Sequence, residues 1–438
     1  MTVVITYGTY DFLHYGHLRL LEKAKALGDY LIVGVTADDF DKKRGKINVQ
    51  QTLEERIEGV RKTGLADKII IEEYDGQKID DIKRYGVDVF TVGSDWEGQF
   101  DYLNEYCKVI YLPRTDGISS SEIRSQKAHL RIGVTGHSLY LKKFINESQY
   151  VNTIETVGIC VPRKGVLEEL KDQVELYTCD YDELLENVDA VYILSHPKEH
   201  YCDCKKAIKK GVHVLCESPV AMNKEECDEL DRLAINHHVV LMEAISTAYV
   251  TAYMRMLLLL KMGKIGDVVS VDATCTSLST DESIFVDQKW GALATWGPTA
   301  LLPVFQILGI EYKTKNVFAI KDFNHLRGDV FTKIDFTYPN ATATIKVGTG
   351  VKSEGEMIIS GTKGYVYVPA PWWKTDYFEI RYENPADNQR YFYQIDGAGI
   401  RYELVAFADA VKNGKPDYYI SRDITRKIAS VMESSQTE

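Results

Sequence analysis

The sequence predicts an α/β protein with two parallel-sheet units and a β-rich C-terminal region. Three observations carry that expectation. Apolar strand-like runs alternate with amphipathic stretches from residue 3 to about residue 127. The alternation then restarts at Leu130. Beyond about residue 266 it gives way to β-branched, tyrosine-rich runs. Alternating strand and helix signals imply parallel strands joined by crossover helices, and successive β-branched and aromatic runs imply antiparallel pairing. A chain of 438 residues, 45% hydrophobic and 26% charged, has core for two or three domains. The expected boundaries are 1–127, 128–248 and 249–438.

In the first unit the strand candidates are Val3–Tyr7, Tyr30–Val35, Lys68–Ile71, Val87–Val92 and Val109–Leu112. Parallel sheets bind ligands beyond the carboxyl ends of their strands. Gly8, Asp38, Gly93–Asp95 and Arg114 each follow a strand candidate, so all are expected at one edge. The second unit repeats the pattern at Leu130–Val134, Thr153–Cys160, Val174–Thr178, Ala190–Ser195, His213–Glu217 and Val239–Ala244. The third region reads as strands in "VVSVDATCTS", "VFTKIDFTYP", "ATATIKVGTG", "EMIISGTKGYVYVP", "YFEIRY" and "RYFYQI", closed by the helical "IRYELVAFADAVKNGK".

Two histidines, His14 and His17, flank Gly16 where the first strand hands over to a helix. Glycines at Gly8 and Gly16 let backbone approach a nucleotide closely. A helix N-terminus attracts anions, and imidazoles beside it stabilise charge on a reacting phosphate. A second cluster, "YLPRTDGISSSEIRSQ", sets Arg114 and Gly117 before a capping box formed by Ser119 and Glu122. A third, "DDFDKKRGK", reads as a basic loop after the second strand, with Arg44 and Lys46 able to close over phosphates.

These stretches, with "VFTVGSDWEGQFDYL", resemble the cytidylyltransferase family through residues 1–126, and within it the glycerol-3-phosphate branch. The resemblance implies a triphosphate site for CTP carrying Mg²⁺, with His14 and His17 on the phosphates. It places Thr9 and Tyr10 in the nucleotide pocket, and Lys46 beside the phosphates. It puts Arg114, Thr115, Gly117, Ile118, Ser119 and Ser120 around the nucleotide, Asp95 and Trp96 near base or substrate, and Lys78 on the acceptor's phosphate. Arg44 stands where relatives have lysine. The implied reaction is attack of a polyol phosphate, foremost glycerol 3-phosphate, on the α-phosphorus of CTP. Such activated polyols feed cell-surface polymers by analogy with the family.

From residue 128 onward, "VYILSHPKEHYCDCKKAIKKGVHVLCESPVAMN" and "MEAISTAY" resemble the Gfo/Idh/MocA oxidoreductases. That family's cofactor is NAD or NADP. Gly133 and Gly136 belong to its glycine turn and Glu217 to its strand end, but the later glycines are missing from "GVTGHSLYLKKF". Ser218 replaces the family's lysine, and Thr295 and Thr299 stand where its aspartate and acid are expected. His196, His200, Glu243, Tyr249 and Lys289 are the alternative proton carriers. Three roles stay open: a reductase supplying the polyol phosphate, a degenerate module for binding, regulation or dimerisation, and an enzyme acting on the CDP-linked product.

A net charge of −12 argues against nucleic acid as partner. The eight cysteines form no paired CxxC set and read as reduced thiols of a cytoplasmic protein. Strand-forming residues begin at Val3, so no leader peptide is expected. "MRMLLLLKM" is too short to span a bilayer and reads as a buried helix. No metal site is expected, and both resemblances imply a homodimer.

Overall fold

The computed structural model describes residues 1–13, 15–43, 49, 51–74, 76–113, 130–136, 139–278, 291–321, 328–393, 395, 399–414 and 419–436. The chain divides into two compact units, Met1–His129 and Leu130–Glu438.

In the first unit, β1 (Val3–Gly8), β2 (Tyr30–Thr36), β3 (Lys68–Glu72), β4 (Val89–Gly93) and β5 (Lys108–Leu112) pair in parallel, in the order β3-β2-β1-β4-β5. Strand residues alternate between faces. Val4, Leu31, Val33 and Val35 pack against Leu21 and Ala24 of α1 (Tyr15–Lys25) and, beyond the short α2 (Asp38–Lys43), Val60 of α3 (Leu53–Lys62). Ile5, Tyr7, Ile32 and Phe90 pack against Ile82 of α4 (Gln77–Tyr85). Gly34 faces Tyr7 across the β1–β2 pair, and a Cβ there would lie 2.2 Å from the Tyr7 ring.

One local expectation is corrected. Residues 38–43 of the expected basic loop form α2, whose Asp41 amide donates to the Ala37 carbonyl at 2.8 Å. Acidic residues near its start suit a helix N-terminus. Arg44 and Lys46 lie outside the described residues.

The second unit opens with a six-stranded parallel sheet. Its strands are β6 (Leu130–Gly136), β7 (Ile154–Cys160), β8 (Leu176–Thr178), β9 (Ala190–Leu194), β10 (His213–Glu217) and β11 (Leu241–Ala244). They lie in the order β11-β10-β9-β6-β7-β8. The crossover helices include α5 (Leu139–Ser148), α6 (Tyr181–Glu186), α7 (Pro197–Lys209) and α8 (Lys224–Asn236). Val191, Ile193, Val214 and Cys216 face Cys204, Ala207 and Ile208 of α7 and Leu230 and Ala234 of α8. His196 caps α7, accepting from the Lys198 amide at 3.3 Å, with Pro197 at the first helical position.

The chain continues through α9 (Thr251–Lys261) into β12 (Val268–Ser277), α10 (Ala292–Leu308) and an eight-stranded sheet, and ends in α11 (Ile400–Asn413) and α12 (Arg422–Gln436). This sheet is mixed. β12 runs parallel to β15 (Thr342–Thr349), while its other neighbour, β16 (Met357–Gly361), is antiparallel. Helix α10 and the hairpin of β13 (Thr314–Lys321) with β14 (Asp329–Thr337) intervene between β12 and β15, which is room enough for a crossover. Helix α9 corrects the expectation of a buried helix. Met256, Leu259 and Leu260 are buried, but Leu258 is 45% exposed and Met262, just beyond its end, 65%. Among the described residues no helix is long and apolar enough to cross a membrane.

Candidate functional site

In the first unit the strand order reverses between β1 and β4, and such a switch point opens a crevice at the carboxyl edge. The chain leaves β1 there through Thr9–Leu13. Tyr10 and Phe12 have φ of 56° and 46°, a left-handed conformation costly for bulky residues. The surroundings hold it. The Phe12 amide donates to Gln51 Oε1 at 2.5 Å, and the Gln51 amide to Asp11 Oδ1 at 3.0 Å. Thr9 Oγ1 donates to Asp41 Oδ1 at 2.9 Å.

Arg56 organises this corner. It is fully buried, and its Nη1 donates to the carbonyls of Thr9 and Thr36 at 2.7 and 2.8 Å. Its Nε donates to the Gln51 carbonyl at 3.2 Å. It pairs with Asp38, and its Nη1 lies 3.5 Å from Asp41 Oδ2. One guanidinium thus ties the ends of β1 and β2 to α2 and α3, spending its planar fork of donors in several directions. Asp38 is therefore a partner of Arg56 and also accepts from the Leu53 amide at 3.3 Å. Arg56 was not singled out in the sequence. Its signal was an arginine at the buried helical spacing of Leu53 and Val60.

His17 sits in the first turn of α1, its ring 5.4 Å from Tyr10 and inclined at 67°. Tyr10 is buried beneath the exit from β1: a Cβ on Gly8 would lie 3.0 Å from its ring. Burial drives the Tyr10 phenol's pKa above its ordinary value, so it stays neutral.

A second group lies on the α4 side. Lys78 is buried, ion-paired with Glu72 and placed over the rings of Tyr7 and Phe100 at 4.7 and 5.4 Å. Glu72 Oε2 accepts from Thr36 Oγ1 at 2.9 Å, and Tyr7 donates to Asp81 Oδ2 at 2.9 Å. Burial, reinforced by Asp81, pushes the Tyr7 phenol's pKa upward. Trp96, in the 3₁₀ turn Ser94–Trp96 after β4, packs on Phe100 at 5.9 Å. The structure thus brings Lys78 and Trp96 into one aromatic-lined group. His14, Arg114, Thr115, Gly117, Ile118, Ser119 and Ser120 lie outside the described residues, as does the side chain of Asp95.

In the second unit the switch point falls between β6 and β9. Gly136 ends β6 with φ of 152°, and a Cβ there would lie 2.6 Å from the Leu194 carbonyl. Gly133 stands inside the strand, where its missing side chain admits Leu184. Ser218 Oγ donates to Glu243 Oε1 at 2.6 Å, and Thr425 Oγ1 to Glu243 Oε2 at 2.5 Å. Burial raises the Glu243 carboxyl's pKa. His200 is enclosed, with Nδ1 2.8 Å from the Pro219 carbonyl and Nε2 2.8 Å from that of Ser195. Burial lowers its pKa to about 4, so it is neutral at physiological pH. Thr295 and Thr299 lie on the partly exposed face of α10. Lys289 lies outside the described residues. A shallow hollow of about 520 Å³, lined by Asp189, Lys210 and His213, opens at the amino ends of β9 and β10, away from this edge.

Residues 5–126 match the cytidylyltransferase-like family model, and residues 130–245 that of the oxidoreductase family with an NAD-binding Rossmann fold. Glycerol-3-phosphate cytidylyltransferase of Bacillus spizizenii is 49% identical over 130 residues, 30% of this chain and all of the relative. The enzyme of the same name from Staphylococcus aureus is 47% identical over 126 residues, 29% of this chain and 95% of the relative. The second unit shares its fold with a 3-ketoreductase from Actinomadura kijaniata solved with NADP and TDP-benzene. The TM-score is 0.63 at 19% identity, covering 70% of this chain and 97% of that one. UDP-N-acetylglucosamine 3-dehydrogenase from Acidithiobacillus ferrooxidans gives 0.61 at 17%, covering 71% and 98%.

Proposed function

We propose, from the premise that this chain belongs through its first unit to the glycerol-3-phosphate cytidylyltransferase family, that the unit joins CTP to glycerol 3-phosphate and releases pyrophosphate. The observation that carries the proposal is the β1–α1 exit, where Arg56 holds a strained loop at the switch point with His17 in the first helical turn. The acceptor's phosphate oxygen attacks the α-phosphorus in line, and the bond to pyrophosphate breaks. His17, with His14 beside it in the sequence, neutralises charge on the phosphates, which Mg²⁺ accompanies as part of the substrate. Lys78 exchanges part of its pairing with Glu72 for the acceptor's phosphate. Arg44, Lys46 and residues 114–120 are assigned to the nucleotide, and Asp95 and Trp96 to the base or the acceptor, as the family resemblance implies. Pyrophosphate release from CTP, with glycerol 3-phosphate as acceptor, tests this. Its absence with glycerol 3-phosphate and with other polyol phosphates overturns the reading.

For the second unit we propose reduction of a carbonyl compound with NADH or NADPH. Gly136, whose φ of 152° and close approach to the Leu194 carbonyl leave no room for a Cβ at the end of β6, and the reversal of strand order beside it fit the turn of a dinucleotide site. When bound, the nicotinamide supplies the reducing equivalent. The structural neighbours solved or named with nucleotide-linked molecules favour a CDP-linked substrate beside a simple keto phosphate. Titration with NADH and NADPH, followed by nicotinamide fluorescence, tests dinucleotide binding. Failure of both to bind points to a retired dehydrogenase fold used for binding or dimerisation.

A further inference from the structure

The lysine position of the second unit is occupied by Ser218, and its hydroxyl is committed to Glu243. The proton chemistry of a carbonyl reduction therefore needs another carrier at this edge, and one residue back along the chain there is one. Glu217 ends β10, partly exposed, on the sheet face opposite the α7–α8 core. Its Oε2 lies 2.9 Å from the phenol oxygen of Tyr192, on the neighbouring strand β9. The same phenol oxygen lies 3.2 Å from Oε1 of Glu403, which is buried in α11.

Proton counting decides what this arrangement is. A phenol has one proton and can donate it to one carboxylate only. With both carboxylates ionised, one of the two contacts would set lone pair against lone pair in a buried setting, which is costly. The arrangement is satisfied when one carboxyl keeps its proton. Glu403 is the more enclosed of the two. Burial and the nearby Glu217 hold its pKa well above the ordinary carboxyl value. Burial also raises Glu217, to about 7, against the lowering effect of the Tyr192 bond. Glu403 then donates to Tyr192, and Tyr192 to Glu217. Among the described residues the ionisable groups facing the chain are Tyr140 of α5, whose phenol hydrogen-bonds that of Tyr192, and Glu243 of β11, neither of them a cation.

We propose that Glu403, Tyr192 and Glu217 form a proton relay whose outer end, Glu217, exchanges protons with the substrate of the second unit. The proposal rests on the reductase reading above. In reduction, hydride from the nicotinamide adds to the carbonyl carbon, and the carbonyl π pair becomes an alkoxide. As the alkoxide forms, the proton of Glu403 passes to Tyr192 while the proton of Tyr192 passes to Glu217, which hands it to the alkoxide oxygen. After the product leaves, solvent returns one proton through Glu217, the partly exposed end, and the two transfers reverse to restore the Glu403 carboxyl. In the oxidative direction every transfer reverses.

Infrared difference spectroscopy of the full chain, titrated with and without NADPH, tests the relay. The expected result at neutral pH is a protonated carboxyl band that is lost in Glu403→Gln and retained in Glu217→Gln. A second carboxyl should titrate near neutrality, vanish in Glu217→Gln and change its midpoint in Tyr192→Phe. NADPH binding, read independently by fluorescence, should shift that midpoint, because the dinucleotide covers the end of β10. Lack of a protonated band, or a band indifferent to Glu403→Gln, overturns the shared proton. NADPH binding that leaves the Glu217 midpoint unmoved removes Glu217 from the site while the reductase reading stands. No NADPH or NADH binding brings down that reading and the delivery step with it, and the bands still report on the proton chain.

Discussion

Two parallel sheets in this chain reverse strand order at their centres, and opposite charge lies behind the two edges. Behind the first stands Arg56, a buried cation facing three carbonyls and two aspartates. Behind the second stand Glu217 and Glu403, bridged by the Tyr192 phenol, and Glu243, held by the hydroxyls of Ser218 and Thr425. The comparison teaches that topology sets where a ligand lies, and the buried groups set which chemistry is affordable there. On the proposed function, a guanidinium that spends its donors on loop carbonyls stiffens a site for anionic phosphates. Carboxyls joined by hydroxyls store protons.

The largest test of this contrast is Arg56→Met. It leaves Asp38 and Asp41 without their guanidinium and three carbonyls without their donor. Breaking a buried ion pair from one side costs about 3–5 kcal/mol. The expected result in urea is early loss of the first unit and of CTP turnover, with the transition of the second unit unmoved. If both units shift together, the buried cation is not a local device. His17→Ala comes next. On the proposed function it removes one stabilising donor from the transition state, for which about 10²–10³-fold in turnover is the usual loss. Its thermal unfolding should match the parent protein, because His17 is partly exposed and meets Tyr10 by an edge contact. Near-normal turnover would deny the first edge its chemistry.

The legibility of the two edges also differs. The strand–helix alternation revealed both sheets, because period-two burial and crossover helices leave a local imprint. Thr9 and Tyr10 directly follow β1, Trp96 closely follows β4 and His17 stands in the first turn of α1, positions that strand and helix signals locate without saying what binds there. Arg56 and the Glu403–Tyr192–Glu217 chain were not singled out as units. Arg56 reads as one charge in a charged helix, and Glu403 is 186 residues from Glu217 in sequence, 403 less 217. Such pairs exist only after folding. The parallel β12–β15 pair escaped for the same reason, since β-branched content does not encode strand direction.

A smaller effect separates the edges by pH. The folded Glu217 carboxyl titrates near 7, above the ordinary value of 4.5, because burial penalises its charge. The folded protein therefore holds this proton more tightly than the unfolded chain does. Its stabilising contribution is complete below about pH 4.5 and is lost as pH rises through about 7. Glu217→Gln should flatten that slope for the second unit, measured by urea unfolding across this range. An unchanged slope would mean that Glu217 ionises as an ordinary exposed carboxyl.

The smallest expected effect is at Ser218. Where the resembling family carries a lysine, this chain has a hydroxyl that caps a buried carboxyl. Ser218→Ala deletes one hydrogen bond, and Glu243 keeps the one from Thr425. A cost of about 1 kcal/mol is expected, the ordinary value for such a bond. NADPH binding should be unaffected, since the Ser218 hydroxyl is already spent on Glu243. If Ser218→Ala instead weakened dinucleotide binding or shifted the pH profile of reduction, the serine would be acting on the ligand. Proton supply at the second edge would then run through Ser218 and Glu243 rather than through Tyr192.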